Sequence, residues 1–346
     1  MSQVQALRPR ALLLAGLALI PLLLAACGSS STAPGAATTA TLALDWTPNT
    51  NHTGIYVAQQ KGWYRDEGVN LSLTPYSNSV SPEQLVATGK ADFGVSFTEG
   101  VTSARAAGLD VVSIAAVIQS NTSALVSLKS SGLDNVGKLA GKRYAGFGAP
   151  YEQPLISQVI GCGGAQDTSF KNVTTDQDPI VALKSGQFDF AWIYMGWEGV
   201  EAQRQGVDLN TFMVKDNCVP DYYSPVIITS EKAIKEKPDL VRHFLAATAK
   251  GYAYAASNPA DAAKLLIAGA PKGTFDDEGL VTASQQYLSP RYAEGAKCWG
   301  QQTLEKWTNY PKFMFEHQAI LDANGNPITS APNYAAAFTN GYLPKC

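Results

Sequence analysis

Charge is scarce in this chain. Only 16% of its 346 residues are charged, and 26 Lys+Arg face 29 Asp+Glu without any basic patch, which excludes nucleic acid as a partner. Histidine is limited to His52, His243 and His317, too scattered to form a nucleophile–base pair or a histidine metal site. No Cys-x-x-Cys spacing occurs, so zinc is not indicated, and neither a metal nor a cofactor is expected. Beyond the N-terminal segment, no apolar run reaches the roughly 20 residues that a membrane-spanning helix needs. No repeat of fixed period is found.

The N-terminal segment is different. Arg8 and Arg10 precede an apolar run over 11–26 that is broken by Pro21 and ends in Leu24-Ala25-Ala26-Cys27-Gly28. The run is too short for a span and closes on small residues, so 1–26 reads as a secretory signal. Leu-Ala-Ala-Cys resembles the bacterial lipobox, and the resemblance implies cleavage before Cys27 and lipidation of its sulfur. Two or three acyl chains anchor a protein stably to the extracytoplasmic face of the cell membrane. Residues 27–40, rich in Ser, Thr, Ala, Gly and Pro and free of charge, cannot bury a core and read as a flexible tether.

The remaining chain is long enough to split into two lobes. Cys162, Cys218, Cys298 and Cys346 are even in number, as an oxidising compartment allows. Of three possible pairings, Cys162–Cys218 and Cys298–Cys346 keep each bridge within one expected lobe. Hydrophobic patterning predicts strands over 40–45, 69–74, 93–96, 111–117, 124–129, 143–147, 172–174, 190–194 and 224–229. Helices are predicted over 54–67 and 81–88 and in most of the other intervals, an order that implies parallel α/β sheets. After 229 the pattern is nearly all helical, with Pro238, Pro259, Pro271 and Pro311 near helix starts.

Several runs carry a family likeness. Leu44-Asp-Trp-Thr-Pro-Asn-Thr-Asn-His-Thr-Gly-Ile-Tyr56, Ala58-Gln-Gln-Lys-Gly-Trp-Tyr64, Gly89-Lys-Ala-Asp-Phe-Gly94, Asp189-Phe-Ala-Trp-Ile-Tyr194 and Tyr222-Tyr-Ser-Pro-Val-Ile-Ile-Thr-Ser-Glu231 resemble the NMT1/THI5-like solute-binding proteins. The resemblance implies the type II periplasmic-binding-protein fold: two α/β lobes joined by two crossovers, here near 123–130 and 223–229, with a ligand cleft between them. Lobe 1 would comprise 41–127 plus 228–346, and lobe 2 would comprise 128–227. The resemblance also implies docking on the permease and ATP-binding subunits of an ABC importer.

Ligand is expected at the carboxyl ends of the strands. From the first lobe this selects Trp46, Asn51 and His52 after the first strand, and Ser96 and Glu99 after the third. Asn51 competes as a helix N-cap, and His52 as an internally satisfied side chain. From the second lobe it selects Gly148, Tyr151 and Glu152 in a Gly-rich turn, and Tyr194, Trp197 and Glu198 after a further strand; Trp192 reads as core. That turn lacks the G-x-G-x-x-G spacing of a dinucleotide site.

Aromatic rings and carboxylates suit a flat nitrogen heterocycle. Family likeness implies a thiamine pyrimidine precursor, formylaminopyrimidine or hydroxymethylpyrimidine, or riboflavin. Gln153 stands where the pyrimidine carriers are expected to have a second carboxylate, which tilts the expectation toward riboflavin. An enzyme is not expected. Where the pyrimidine-synthase branch has a lysine and a histidine this chain has Ser96 and Gly100, and the Cys-rich run expected near 219–224 is absent.

Overall fold

The computed structural model describes residues 37–345; the expected signal segment, Cys27 and most of the tether lie outside that range, as does Cys346. The chain begins with β1 (Thr38–Ala43), α1 (Thr53–Gln60), α2 (Trp63–Asp66), β2 (Val69–Thr74), α3 (Pro82–Ala87), β3 (Phe93–Ser96), α4 (Thr98–Ala106) and β4 (Val112–Ala116). It continues through β5 (Ser123–Leu128), β6 (Arg143–Gly146), α5 (Glu152–Cys162), β7 (Lys171–Thr174), α6 (Pro179–Lys184), β8 (Phe190–Tyr194), α7 (Val200–Arg204) and β9 (Leu209–Met213). The return segment is β10 (Val226–Thr229), followed by α8 (Glu231–Glu236), α9 (Pro238–Ser257), α10 (Pro259–Gly269), α11 (Glu278–Leu288) and α12 (Leu304–Glu316). Among the described residues no helix is long and apolar enough to cross a membrane.

The strands form two sheets, ordered β2-β1-β3-β10-β4 and β7-β6-β8-β5-β9. This is the two-lobe type II binding-protein architecture. The sheets are mixed rather than parallel. β10 runs antiparallel to β3 and β4, and β5 antiparallel to β8 and β9, because each arrives from the other lobe in the opposite sense. The expected lobe boundaries therefore need moving. The 127/128 boundary cuts through β5 and the 227/228 boundary through β10, so the connecting segments lie before those strands. β1 also begins at Thr38, inside the stretch read as tether.

Alternation explains the cores. Leu42, Phe93, Val95 and Ile227 of the first sheet pack with Val241, Phe244 and Leu245 of α9, and the Phe93 and Phe244 rings stack at 3.8 Å. Leu125, Tyr144 and Phe190 of the second sheet pack with Leu155, Ile156, Val159 and Ile160 on one face of α5. Each such side chain contributes about 1.5–3 kcal/mol of burial.

Three expectations about helices are corrected. The helix predicted over 54–67 is two, interrupted at Lys61–Gly62. Pro311 lies inside α12, and Pro271 follows α10 rather than starting a helix. Nor does α12 belong to the first lobe alone, since Tyr310 and Met314 join the second core and Tyr310 stacks on Tyr222 at 3.7 Å. Cys162 and Cys218 are bonded, tying the end of α5 to the loop after β9. Cys298 is also disulfide-bonded, and its expected partner Cys346 is outside the described residues.

Candidate functional site

The carboxyl ends of β1 and β3 and of β6 and β8 carry all the side chains selected from sequence. Register brings the crossovers to the same place, because Val226 pairs with Ser96 and Ser123 with Tyr194. Tyr222 and Ser224 thus lie beside the ends of both sheets.

After β1 the chain reaches Asp45 and Trp46 and turns through Thr50–His52. The cap of that turn is Asn49, not Asn51: its side chain accepts the Asn51 amide at 2.9 Å. Asn51 contributes its carbonyl to the Tyr252 hydroxyl at 2.6 Å. His52 is 0% exposed, and its Nδ1 accepts the Asn49 amide at 3.2 Å. The proton is therefore on Nε2, which lies 2.7 Å from Asp45 Oδ1 and donates to it. With both nitrogens engaged, His52 has nothing left for a ligand, which corrects its expected role. It orients Asp45, a residue the sequence selection passed over. Trp46 is 54% exposed, with its ring 4.8 Å from that of Tyr76.

After β3, the Ser96 hydroxyl donates to Glu83 on α3 and is fully buried, so it too is engaged within its lobe. Glu99, in the first turn of α4, is 3% exposed. Its Oε1 accepts the Tyr310 hydroxyl at 2.8 Å, while its Oε2 has no partner. The Tyr222 hydroxyl faces this carboxyl and Ser123 without closing a hydrogen bond to either. Burial pushes the Glu99 pKa up to about 7; burial, and after it the Glu99 charge, raises those of Tyr151, Tyr194, Tyr222 and Tyr310.

After β6, Glu152 is the fully buried first residue of α5. It accepts from the Tyr144 hydroxyl at 2.5 Å and from the amides of Phe147, Gly148 and Ala149 at 3.0, 2.7 and 2.8 Å. Four donors occupy the carboxylate, so the expected ligand role of Glu152 is corrected: it pins the Gly-rich turn. Gly148 is exposed, its amide held by that bond. Tyr151 meets Phe97 of the first lobe edge-on at 6.3 Å and Phe147 at 6.1 Å. Phe147 itself is 51% exposed.

After β8, the partly buried Tyr194 lies against Ser224 and feels the charges of Glu99, Asp45 and Glu198. Its amide donates to Glu198 Oε2 at 3.0 Å, and burial pushes the Glu198 pKa up to about 7. Trp197 faces elsewhere. Its ring is 6.2 Å from Phe275 and packs against Tyr56, Ala263, Leu266 and Val281 of the first lobe, which corrects its expected stacking on ligand.

Asp45, Glu99, Glu198, Tyr151, Tyr194, Tyr222 and Trp46 thus remain as groups with free chemistry. None of the lysine or arginine ion pairs among the described residues involves Asp45, Glu83, Glu99 or Glu198. Such a site favours ligands that donate hydrogen bonds. A groove of about 260 Å³ lined by Thr102, Arg105, Trp307, Pro311 and Tyr334 shares none of these residues.

Known proteins resemble the chain along most of its length. The formylaminopyrimidine-binding protein of Halalkalibacterium halodurans is 26% identical over 86% of this chain and 91% of its own. The riboflavin-binding protein RibY of Chloroflexus aurantiacus is 28% identical over 94% and 96%. A 4-amino-5-hydroxymethyl-2-methylpyrimidine phosphate synthase of Legionella pneumophila is 29% identical over 88% and 92%. Among solved structures, the periplasmic aliphatic sulphonate binding protein SsuA of Escherichia coli shares the fold, with a TM-score of 0.64 at 14% identity over 89% of this chain and 94% of that one. The profile described as NMT1/THI5 like matches residues 49–262, more than half of the sequence, and the chain belongs to that family.

Proposed function

We propose that this chain is the extracytoplasmic solute-binding subunit of an ABC importer and captures a donor-rich heteroaromatic of the thiamine-pyrimidine class. The observation that carries the reading is the cation-free set of Asp45, Glu99 and Glu198 beside the rings of Trp46, Tyr151 and Tyr194. A 4-aminopyrimidine offers an exocyclic amino group to a carboxylate and a flat face to the rings, and a charged acceptor adds about 1.5–3 kcal/mol. The same lining disfavours sulfonates and phosphates, which need cations.

Riboflavin is the second reading. Its isoalloxazine edge is mostly acceptors, a poorer match to carboxylates, although the exposed rings of Trp46 and Phe147 and the half-buried ring of Tyr76 offer a tricyclic system more surface. The position that tilted the sequence reading toward riboflavin no longer carries weight, because Gln153 is exposed and its neighbour Glu152 is engaged internally. Binding rather than catalysis is supported at Gly100, the position of the synthase histidine. A Cβ there would lie 2.6 Å from Glu83 Oε1 and 2.8 Å from Ser96 Oγ, so a side chain at this position would have to displace the hydrogen-bonded Glu83–Ser96 pair.

The lipid anchor at Cys27 completes the reading by holding the subunit at the membrane beside its permease. Native mass spectrometry of the protein purified from cells grown with thiamine precursors tests the ligand class. An aminopyrimidine mass bound one to one is expected; a bound sulfonate or phosphate ester contradicts the proposal.

A further inference from the structure

Helix α11 belongs to the first lobe by its packing on α10, yet it also packs against α7 and the 195–199 turn of the second. The buried Ser284 is the centre of this contact. Its Oγ donates to the carbonyl of Gly196, so the hydroxyl of Thr50, 2.5 Å away, must donate to Ser284. The result is a directional relay from Thr50 in the ligand loop of the first lobe, through Ser284, to the turn that follows Tyr194 and carries Glu198 in the second. Gly196 approaches α11 so closely that a Cβ would lie 2.7 Å from Leu288 Cδ2. Trp197 inserts beside Phe275, and Arg204 donates to both oxygens of Asp277 at 3.1 and 2.9 Å.

We propose that α11 is an interlobe latch in which Ser284 holds the 195–197 turn, close-packed against Leu288, and thereby positions the ligand-facing groups of both lobes without touching ligand. Closure alone is a statement about this fold; the consequence for ligand retention rests on the binding reading above. The latch explains why a tryptophan at the end of a strand is turned away from the cleft. Its rings pack on the first lobe between α10 and Val281 of α11, and the Gly196 carbonyl accepts from Ser284.

The test uses the full-length protein with fluorophores attached at exposed Ser131 and Glu236, one on each lobe, and single-molecule energy transfer as readout. Without ligand, Ser284→Ala and Gly196→Ala should both move the population toward longer distances. Leu288→Ala added to Gly196→Ala makes room for the new methyl and should restore the short distance. With formylaminopyrimidine as probe, both single variants should raise the dissociation rate roughly three- to tenfold, with little change in the association rate. Distances unchanged in both single variants, or no restoration in the double variant, would overturn the latch. If distances respond as expected but the wild type binds no pyrimidine, the latch stands and the ligand reading fails.

Discussion

His52 Nε2 donates to Asp45 Oδ1 at 2.7 Å while His52 Nδ1 accepts the Asn49 amide at 3.2 Å, so one buried ring holds both ends of the loop that carries Trp46. His52→Ala leaves a buried amide without an acceptor and frees Asp45 to rotate. Stability should fall by about 1–3 kcal/mol, and affinity for an aminopyrimidine should fall with it, whereas Asp45→Asn should reduce affinity with a smaller effect on stability. Urea denaturation and calorimetric titration of both variants separate the two effects. Equal affinity in wild type and His52→Ala would remove His52 from any positioning role.

Glu99 gives the fold a pH dependence with a definite sign. Its carboxyl is raised from 4.5 to about 7 by burial, so the native state holds the proton more tightly than the unfolded chain does. That contribution to stability is complete below pH 4.5 and is lost as pH rises toward 7. Melting temperature followed across this window should decline less in Glu99→Gln than in wild type. Glu198 shifts in the same direction, so adding Glu198→Gln should flatten the curve further. Parallel curves for wild type and Glu99→Gln would show that the carboxyl is hydrated in solution.

The Cys162–Cys218 bridge spans a sequence separation of 56 residues, and a closed loop of that size constrains the unfolded chain by about 4 kcal/mol. Replacing both cysteines by serine should lower stability by about 2–4 kcal/mol while leaving the second sheet intact. Denaturation under oxidising conditions measures the loss. Non-reducing peptide mapping of the wild type should also join Cys298 to Cys346.

Strands were the most legible part of this sequence. Phe93–Ser96 and Phe190–Tyr194 are found where apolar runs between turn residues predict them. β9 escaped because Leu209–Met213 is an edge strand with no fully buried residue and hence no clear alternation. In the site, polar residues at strand ends were found but their partners were not. His52, Ser96 and Glu152 look the same in sequence whether they face a ligand or bond to their own lobe. Trp197 is turned toward first-lobe residues far off in sequence, Tyr56, Leu266 and Phe275 among them. Asp45 was passed over because only the His52 contact shows that its carboxylate is held in a fixed orientation.

The proposed membrane attachment rests on one sulfur, that of Cys27. Cys27→Ser should move the protein from the membrane fraction to the soluble extracytoplasmic fraction and leave ligand affinity unchanged, since every group in the candidate site lies beyond residue 44. Fractionation followed by titration of the released protein checks both halves. Retention in the membrane fraction would contradict the lipid anchor.

The central claim is that carboxylates without cations select a donor-bearing heterocycle, and calorimetric titration of formylaminopyrimidine and riboflavin into the same preparation tests it most directly. The account predicts tight one-to-one binding of the pyrimidine and weaker binding of the flavin. Asp45→Asn and Glu198→Gln should each cost the pyrimidine about tenfold or more and the flavin much less. Tight flavin binding with no pyrimidine binding, or pyrimidine affinity untouched by both substitutions, would contradict it.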